Sequence, residues 1–335
     1  MSQQPHDITL MVTSFPFKAP DVERLRAAVG AHALITTRSM QGLIDALKKH
    51  PEADALCVYG APDNLLELAP HLRWVALSSA GAEHVVGQPW ARSPQAPLIT
   101  TANGVHAVSI SEHVLSGMLL WARHWPEMLE LQRERRWPEG GFYSNELVGR
   151  ELDSATLLVV GLGAIGRRVA QLGRAFGMRT LATRRSAAAD ASDPDVDMLY
   201  PMAQLDEALA QADYIVLAVP STPETQGLIN VERLARVKPG ALLVNIARGA
   251  VVDEPALLAA LGDGRLGGAV LDVAAQEPLP AESPLWTAPH VIISPHVSGR
   301  SVRYSERLTD LMLDNIARYR DGRPLRNLVD VARGY

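Results

Sequence analysis

Short uncharged apolar runs alternate along this chain with stretches in which apolar residues recur every three or four positions. The runs at 8–12, 33–37, 55–59, 74–77 and 98–101 predict strands, and the segments at 22–29, 42–50 and 64–69 predict the helices between them. Such alternation implies a parallel α/β layer. A long apolar helix is expected over 105–125, VHAVSISEHVLSGMLLWARHW, and Glu112 and His113 within it read either as polar support for a nearby site or as a satisfied pair at a helix interface. The stretch 124–151, with Arg133, Arg135, Arg136, Trp137 and Pro138, breaks the pattern and is expected to form an exposed arm suited to a partner surface.

The alternation resumes in TLLVVGLGAIGRRVAQLGRAF, 156–176, the stretch around which the rest is organised. An aliphatic run suited to burial on both faces leads into Gly161, Gly163 and Gly166, and then into a helical pattern carried by Ile165, Val169, Leu172 and Phe176. In that setting Gly161 permits a tight turn, Gly163 lets backbone approach a pyrophosphate, and Gly166 lets the helix pack on the strand. The helix N-terminus then offers unpaired N–H groups to a diphosphate, with Ala164 among the expected cofactor contacts. Further strands are predicted at 179–183, 213–219, 241–246, 268–273 and 291–294, six in all, and a final helix over 301–322 with Val302, Leu308, Leu311, Ile316 and Tyr319 as its apolar members.

A length of 335 residues favours two domains. The formal charge of -5 and the scattered Lys and Arg speak against a nucleic-acid partner. A single cysteine, Cys57, lies in an apolar run and reads as a core residue of a reduced, cytoplasmic protein. Neither a leader nor a membrane span is expected, and no metal-ligand cluster stands out.

Ligands of an open α/β sheet sit beyond the C-terminal strand ends. Those ends carry Thr183, Arg184 and Arg185, then Val219 and Pro220, Ala247 and Arg248, Asp272, and Pro295 and His296. Taken singly, Arg248, Glu277 and His296 are unremarkable loop charges. As a set they supply what reduction of a 2-oxo acid requires: an arginine fork for the carboxylate, a proton donor, and an acid that favours the imidazolium by charge and hydrogen bonding. In the first half, Ser79, Ala80 and Gly81 stand just past a strand end, where they form either an anion-binding loop or an ordinary turn.

Four segments, GLGAIG at 161–166, VKPGALLVNIARGAVVDEPAL at 237–257, LDVAAQEPLP at 271–280 and SPHVSG at 294–299, resemble the D-isomer-specific 2-hydroxyacid dehydrogenase family, most nearly its glyoxylate/hydroxypyruvate reductase branch. The likeness runs from about residue 55 to 329. It implies a Rossmann-type doubly wound cofactor domain, residues 105–295, inserted in a smaller flavodoxin-like α/β substrate domain of residues 1–104 and 296–335. It also implies catalysis by Arg248, Glu277 and His296, with Asp272 near the nicotinamide amide and Ser79–Gly81 near the substrate carboxylate. The loops SSAGAEH and TANGVHAVSISEH match only loosely, so the 2-oxo acid itself stays open. Two other functions stay open on the same scaffold: a non-catalytic dinucleotide sensor, and a formate- or phosphite-type dehydrogenase.

The sequence points to NADP(H) rather than NAD(H). No acid stands between Gly166 and Asp190, where an NAD site places one for the ribose hydroxyls, and Arg184, Arg185 and Ser186 occupy the position of a 2′-phosphate. Solvated surface arginines are the alternative. The apolar helix followed by an aromatic arm predicts a homodimer.

Overall fold

The computed structural model describes residues 6–138, 147–185, 187–188 and 191–334. Ser186 and residues 139–146 of the expected arm lie outside them. The chain divides into two compact units, residues 1–106 with 300–335, and residues 107–299. The changeovers after His106 and Gly299 compare with expected boundaries after residues 104 and 295.

The first unit runs β1 (Met11–Thr13), α1 (Ala19–Val29), β2 (Leu34–Thr36), α2 (Met40–Lys49), β3 (Ala55–Val58), α3 (Leu65–Leu68), β4 (Trp74–Leu77) and β5 (Leu98–Thr100). Its strands pair in parallel in the order β2-β1-β3-β4-β5, the flavodoxin-like arrangement. Alternation along each strand feeds two cores, as the pleat requires. Leu56, Val58, Val75 and Leu77 meet Leu43 and Leu47 of α2 on one face. On the other face, Ala55, Cys57, Trp74 and Ala76 meet Leu25 of α1. Cys57 is a free, buried thiol, which burial pushes up to about 12 in pKa.

The second unit opens with α4 (Ala107–Ala122) and α5 (Trp125–Arg133). The apolar stretch is thus helical only to Ala122, and His124, at φ 53°, breaks the path before α5. There follow β6 (Thr156–Val160), α6 (Ala164–Ala175), β7 (Arg179–Arg184), β8 (Met198–Pro201), α7 (Leu205–Leu209), β9 (Tyr214–Leu217), α8 (Val231–Leu234), β10 (Ala241–Asn245), α9 (Glu254–Gly262), β11 (Leu266–Leu271) and β12 (Val291–Ile293). All seven strands are parallel, in the order β12-β11-β10-β9-β6-β7-β8. This is a doubly wound Rossmann sheet with β6 at the switch point. Leu157 and Val159 of β6 face α4 and α6, whereas Leu158 and Val160 face the α7–α9 side. The aliphatic run is therefore buried on both faces.

The chain then returns to the first unit as α10 (Tyr304–Arg320), whose Leu308, Met312, Ile316 and Tyr319 join the core beside Leu25 and Trp74. Two expectations are corrected. The sheet gains β8, an edge strand that ends at Pro201, where a proline is tolerated. Val302 precedes α10 and is 83% exposed, so it is no member of that helix's apolar face. Among the described residues, no helix is long and apolar enough to cross a membrane.

Candidate active site

Because every strand of the second sheet runs the same way, the loops after β6, β7, β9, β10, β11 and β12 emerge along one edge. At its centre is the glycine turn. Gly161 has φ +103°, a left-handed backbone open to glycine, and a Cβ there would lie 2.7 Å from the Ala218 carbonyl oxygen. Gly166 packs so tightly that a Cβ would fall 2.2 Å from the Gly161 carbonyl oxygen. Gly163 is the contrast: a Cβ there would meet nothing within 4 Å, and Gly163 and Ala164 are exposed where α6 begins. Exposed backbone at a helix N-terminus, braced by two crowded glycines, fits a dinucleotide diphosphate. Ile165 is half-buried beside it.

Amides of Gly161 and Leu162 donate to the Thr183 carbonyl oxygen at 3.2 and 3.0 Å, tying the turn to the end of β7. Thr183 itself is enclosed, so its contribution is that carbonyl. Arg184 sits in an ion-pair cluster. Its Nη1 donates to Asp193 Oδ2 at 3.1 Å, and Arg167 grips Asp193 with two hydrogen bonds of 2.6 and 2.8 Å. The Arg167 bonds are the main reason the Asp193 carboxyl lies at about 2, against burial that opposes them. Arg185 is exposed on the same loop, and its charge helps hold the Glu224 carboxyl below the usual range, after the larger effect of the Thr222 bond. Val219 is buried against Gly161, whereas Pro220 is exposed and its carbonyl accepts from Thr225 Oγ1 at 2.7 Å.

Beyond β10, β11 and β12 the edge brings the other predicted residues together. Asn245, buried at the end of β10, accepts from the Ala247 amide at 3.1 Å and donates to the Arg248 carbonyl at 3.1 Å, which fixes the turn presenting Arg248. Next to it, Gly249 is pressed onto the loop after β11: a Cβ would lie 1.9 Å from the Ala274 carbonyl carbon and oxygen. The Ala274 amide in turn donates to Glu277 Oε1 at 3.2 Å, and Glu277 Oε2 stands 2.6 Å from His296 Nδ1. Arg248, Glu277 and His296 thus stand on three loops, linked by the packing of Gly249 on Ala274 and by the contact of Glu277 with His296. His296 adopts φ +52°, a left-handed backbone that its amide secures by donating to the Asp272 carbonyl at 2.9 Å.

Asp272 is 2% exposed. Burial alone would raise its carboxyl, but hydrogen bonds from Ser294, Ser298 and the Val297 amide outweigh it and hold the group below its ordinary value. Ser294 Oγ donates its proton to Asp272 at 2.6 Å, so the 3.0 Å contact with His113 Nε2 has the histidine as donor. His113 therefore braces the loop leading to His296. Asn245, Ser294 and Ser298 escaped sequence reasoning. The signal for Asn245 was a lone amide inside the aliphatic run ALLVNIA.

Within the first unit, the Ser78–Gly81 loop follows β4. Ser79 Oγ donates to the Gly81 carbonyl at 2.8 Å, the Ala102 amide donates to the Ser79 carbonyl at 2.8 Å, and the Tyr304 hydroxyl donates to the Ser78 carbonyl. Ala80 and Gly81 are partly exposed there. Among the described residues, no cluster of three or more His, Cys, Asp or Glu is arranged to hold a metal ion.

Residues 115–298 match the family described as D-isomer specific 2-hydroxyacid dehydrogenase, NAD binding domain. The chain belongs to that family. It is 33% identical over 287 residues to D-3-phosphoglycerate dehydrogenase of Synechocystis sp., covering 84% of this chain and 49% of that one. With glyoxylate reductase of Pyrococcus furiosus it shares 32% identity over 281 residues, 82% of each chain. A D-isomer-specific 2-hydroxyacid dehydrogenase from Xanthobacter autotrophicus, solved in complex with NADPH and MES, superposes with a TM-score of 0.82 at 29% identity, over 98% of this chain and all of that one. This chain spans about half the length of its phosphoglycerate dehydrogenase relatives.

Proposed function

We propose that this family member reduces a small 2-oxo acid, glyoxylate- or hydroxypyruvate-like, to the D-2-hydroxy acid, with NADPH preferred over NADH. The contact between His296 Nδ1 and Glu277 Oε2 carries the reading. A carboxylate on Nδ1 fixes the tautomer and orients the ring, leaving Nε2–H to face the substrate. A nicotinamide cofactor, held at the Gly161–Gly166 turn, would supply the hydride for the carbonyl carbon. As the carbonyl π bond breaks toward oxygen, His296 gives that oxygen its Nε2 proton, and Arg248 holds the substrate carboxylate in its fork. Asp272, fixed in ionised form, is suited to accept from the nicotinamide amide, and Ser79, Ala80 and Gly81 to meet the substrate carboxylate. Residues 1–104 with 296–335 act as the substrate domain and residues 105–295 as the cofactor domain.

Arg184 and Arg185 at the end of β7 support NADPH, and Ser186 completes the set in sequence. The Xanthobacter relative was solved with NADPH. Trp125, Leu129, Trp137 and Val148 are 48, 40, 91 and 59% exposed around α5, which supports a homodimer through the arm. Light scattering is expected to give twice the 36.2 kDa chain mass, and a monomer at micromolar concentration would refute that assembly.

A panel of 2-oxo acids, each with NADPH and with NADH, tests the function through loss of reduced-nicotinamide absorbance. Turnover of at least one 2-oxo acid is expected. Intact cofactor binding without any turnover would favour the dinucleotide-sensing scaffold, and turnover of formate or phosphite alone would favour that class of dehydrogenase.

A further inference from the structure

We propose that Arg167, on the first turn of α6, governs the choice between NADPH and NADH by engaging the Asp193 carboxylate, which otherwise claims Arg184. This deepens the cofactor reading given above and rests on it. Arg167 directly follows Gly166 of the glycine turn. From there its guanidinium reaches the loop after β7 and grips Asp193 as a fork, Nη1 on Oδ1 at 2.6 Å and Nη2 on Oδ2 at 2.8 Å. Nη1 also donates to Asp195 Oδ2. Arg184, the last residue of β7, meets Asp193 at the same Oδ2 but at a longer 3.1 Å. The Asp193 side chain is 6% exposed and that of Arg184 34%, so the carboxylate is enclosed while Arg184 stays accessible at the strand end where a 2′-phosphate is expected.

In the cluster of Arg167, Arg184, Asp193 and Asp195, positive and negative charges cancel. Without Arg167 one carboxylate is in excess. Asp195 keeps a partner of its own, since Gln171 Nε2 donates to its Oδ1 at 3.0 Å, so the loss falls on Asp193. A guanidinium fork pairs with a carboxylate or with a phosphate through the same parallel donors, so Asp193 and a 2′-phosphate compete for Arg184. Arg167 decides that competition by occupying both Asp193 oxygens. It also does most to hold the Asp193 carboxyl low, and Arg184 does less. Released from Arg167, Asp193 would draw Arg184 into a full fork and repel the dianionic phosphate. It would then be an acid near the end of β7, the chemistry an NAD site uses for the ribose hydroxyls, three residues beyond the acid-free stretch that ends at Asp190. Arg167 is thus a positioning residue that selects the cofactor through Asp193 and Arg184.

The test measures the Kd of NADPH and of NADH for the full chain by nicotinamide fluorescence and reads their ratio. Arg167→Gln is expected to lower the preference for NADPH about tenfold, the worth of one hydrogen bond to a charged group, with NADH affinity within about twofold of the parent. Asp193→Asn removes the competing carboxylate and is expected to raise the preference about threefold. Because this variant keeps Arg167, it tests the competition even where Arg167→Gln does not fold. Arg167→Gln combined with Asp193→Asn is expected to return the ratio to within about threefold of the parent. A merely structural role for Arg167 would weaken both cofactors alike, with no rescue by Asp193→Asn. That outcome, or a ratio within about twofold of the parent in both single variants, would overturn the proposal. A parent that prefers NADH would overturn the cofactor reading above, while the change in ratio still decides the role of Arg167; a parent that binds neither cofactor would overturn both.

Discussion

Replacing Gly249 by alanine adds one methyl group to a residue with no part of its own in the proposed chemistry, yet a large effect on turnover is expected. The new Cβ would stand 1.9 Å from the Ala274 carbonyl carbon and oxygen and 2.3 Å from the Ala275 nitrogen. Ordinary carbon contacts lie at about 3.5–4.0 Å, so one of the two loops must retreat by more than about 1 Å. Both neighbouring atoms are backbone, which cannot swing aside as a side-chain tip does. Retreat of the Ala274 loop carries Glu277 with it through the 3.2 Å bond to Oε1, and with Glu277 goes the 2.6 Å hold on His296. Retreat of the other loop displaces Arg248. Misplacement of about 1 Å in a reacting group costs on the order of a hundredfold in rate. Overpacking of this kind costs roughly 1–3 kcal/mol, which a domain stable by about 5–15 kcal/mol survives. Steady-state kinetics on the best 2-oxo acid, a thermal melt by circular dichroism and NADPH binding by fluorescence together check the chain of causes. The expected result is a kcat lowered about a hundredfold in a folded protein whose NADPH affinity is nearly unchanged, since the glycine turn is not touched. A folded Gly249→Ala variant with kcat within about threefold of the parent would refute the reasoning.

Loss of the proton donor in His296→Ala is expected to lower turnover at least about a hundredfold while NADPH still binds; full activity would remove His296 from the proposed role. Arg185→Ala or Arg184→Ala is expected to weaken NADPH by on the order of ten- to a hundredfold and leave NADH nearly unaffected, and a parent protein that prefers NADH would falsify the cofactor assignment. Asp193 has its carboxyl lowered from 3.8 to about 2 in the folded state, so its stabilising effect is complete above pH 3.8 and disappears as pH falls toward 2. At 1.36 kcal/mol per pKa unit it contributes at most about 2 kcal/mol. Denaturant unfolding of the parent and of Asp193→Asn is expected to show a gap in stability that closes as pH falls from about 3.8 to about 2, and a gap independent of pH would contradict the ion-pair account.

How much of this was legible in the sequence depended on how local each signal was. The glycine turn could be read because strand, turn and helix lie within 21 residues, and each glycine answers a short-range steric demand. Arg248, Glu277 and His296 were legible as residues at strand ends, because a parallel sheet sends all such ends to one edge. Strand β8 was not legible: Met198, Leu199 and Tyr200 form a short run stopped by Pro201, and only pairing with β7 makes it a strand. The hold of Asp193 on Arg184 was hidden because its geometry depends on Arg167, which reaches across from α6. His113 remained ambiguous for a similar reason, since its partner Ser294 lies 181 positions away.

The insertion of residues 107–299 within the first unit bears on how the protein is made. As the chain leaves the ribosome, the first 106 residues emerge without α10, so Leu25 and Trp74 wait uncovered until Leu308 and Met312 arrive. The inserted unit, contiguous in sequence, has every strand it needs by residue 293 and can close first. Synthesis therefore completes the second half of the molecule before its beginning, and the interval in which the first sheet stands half-covered is set by the rate of translation through almost 200 residues.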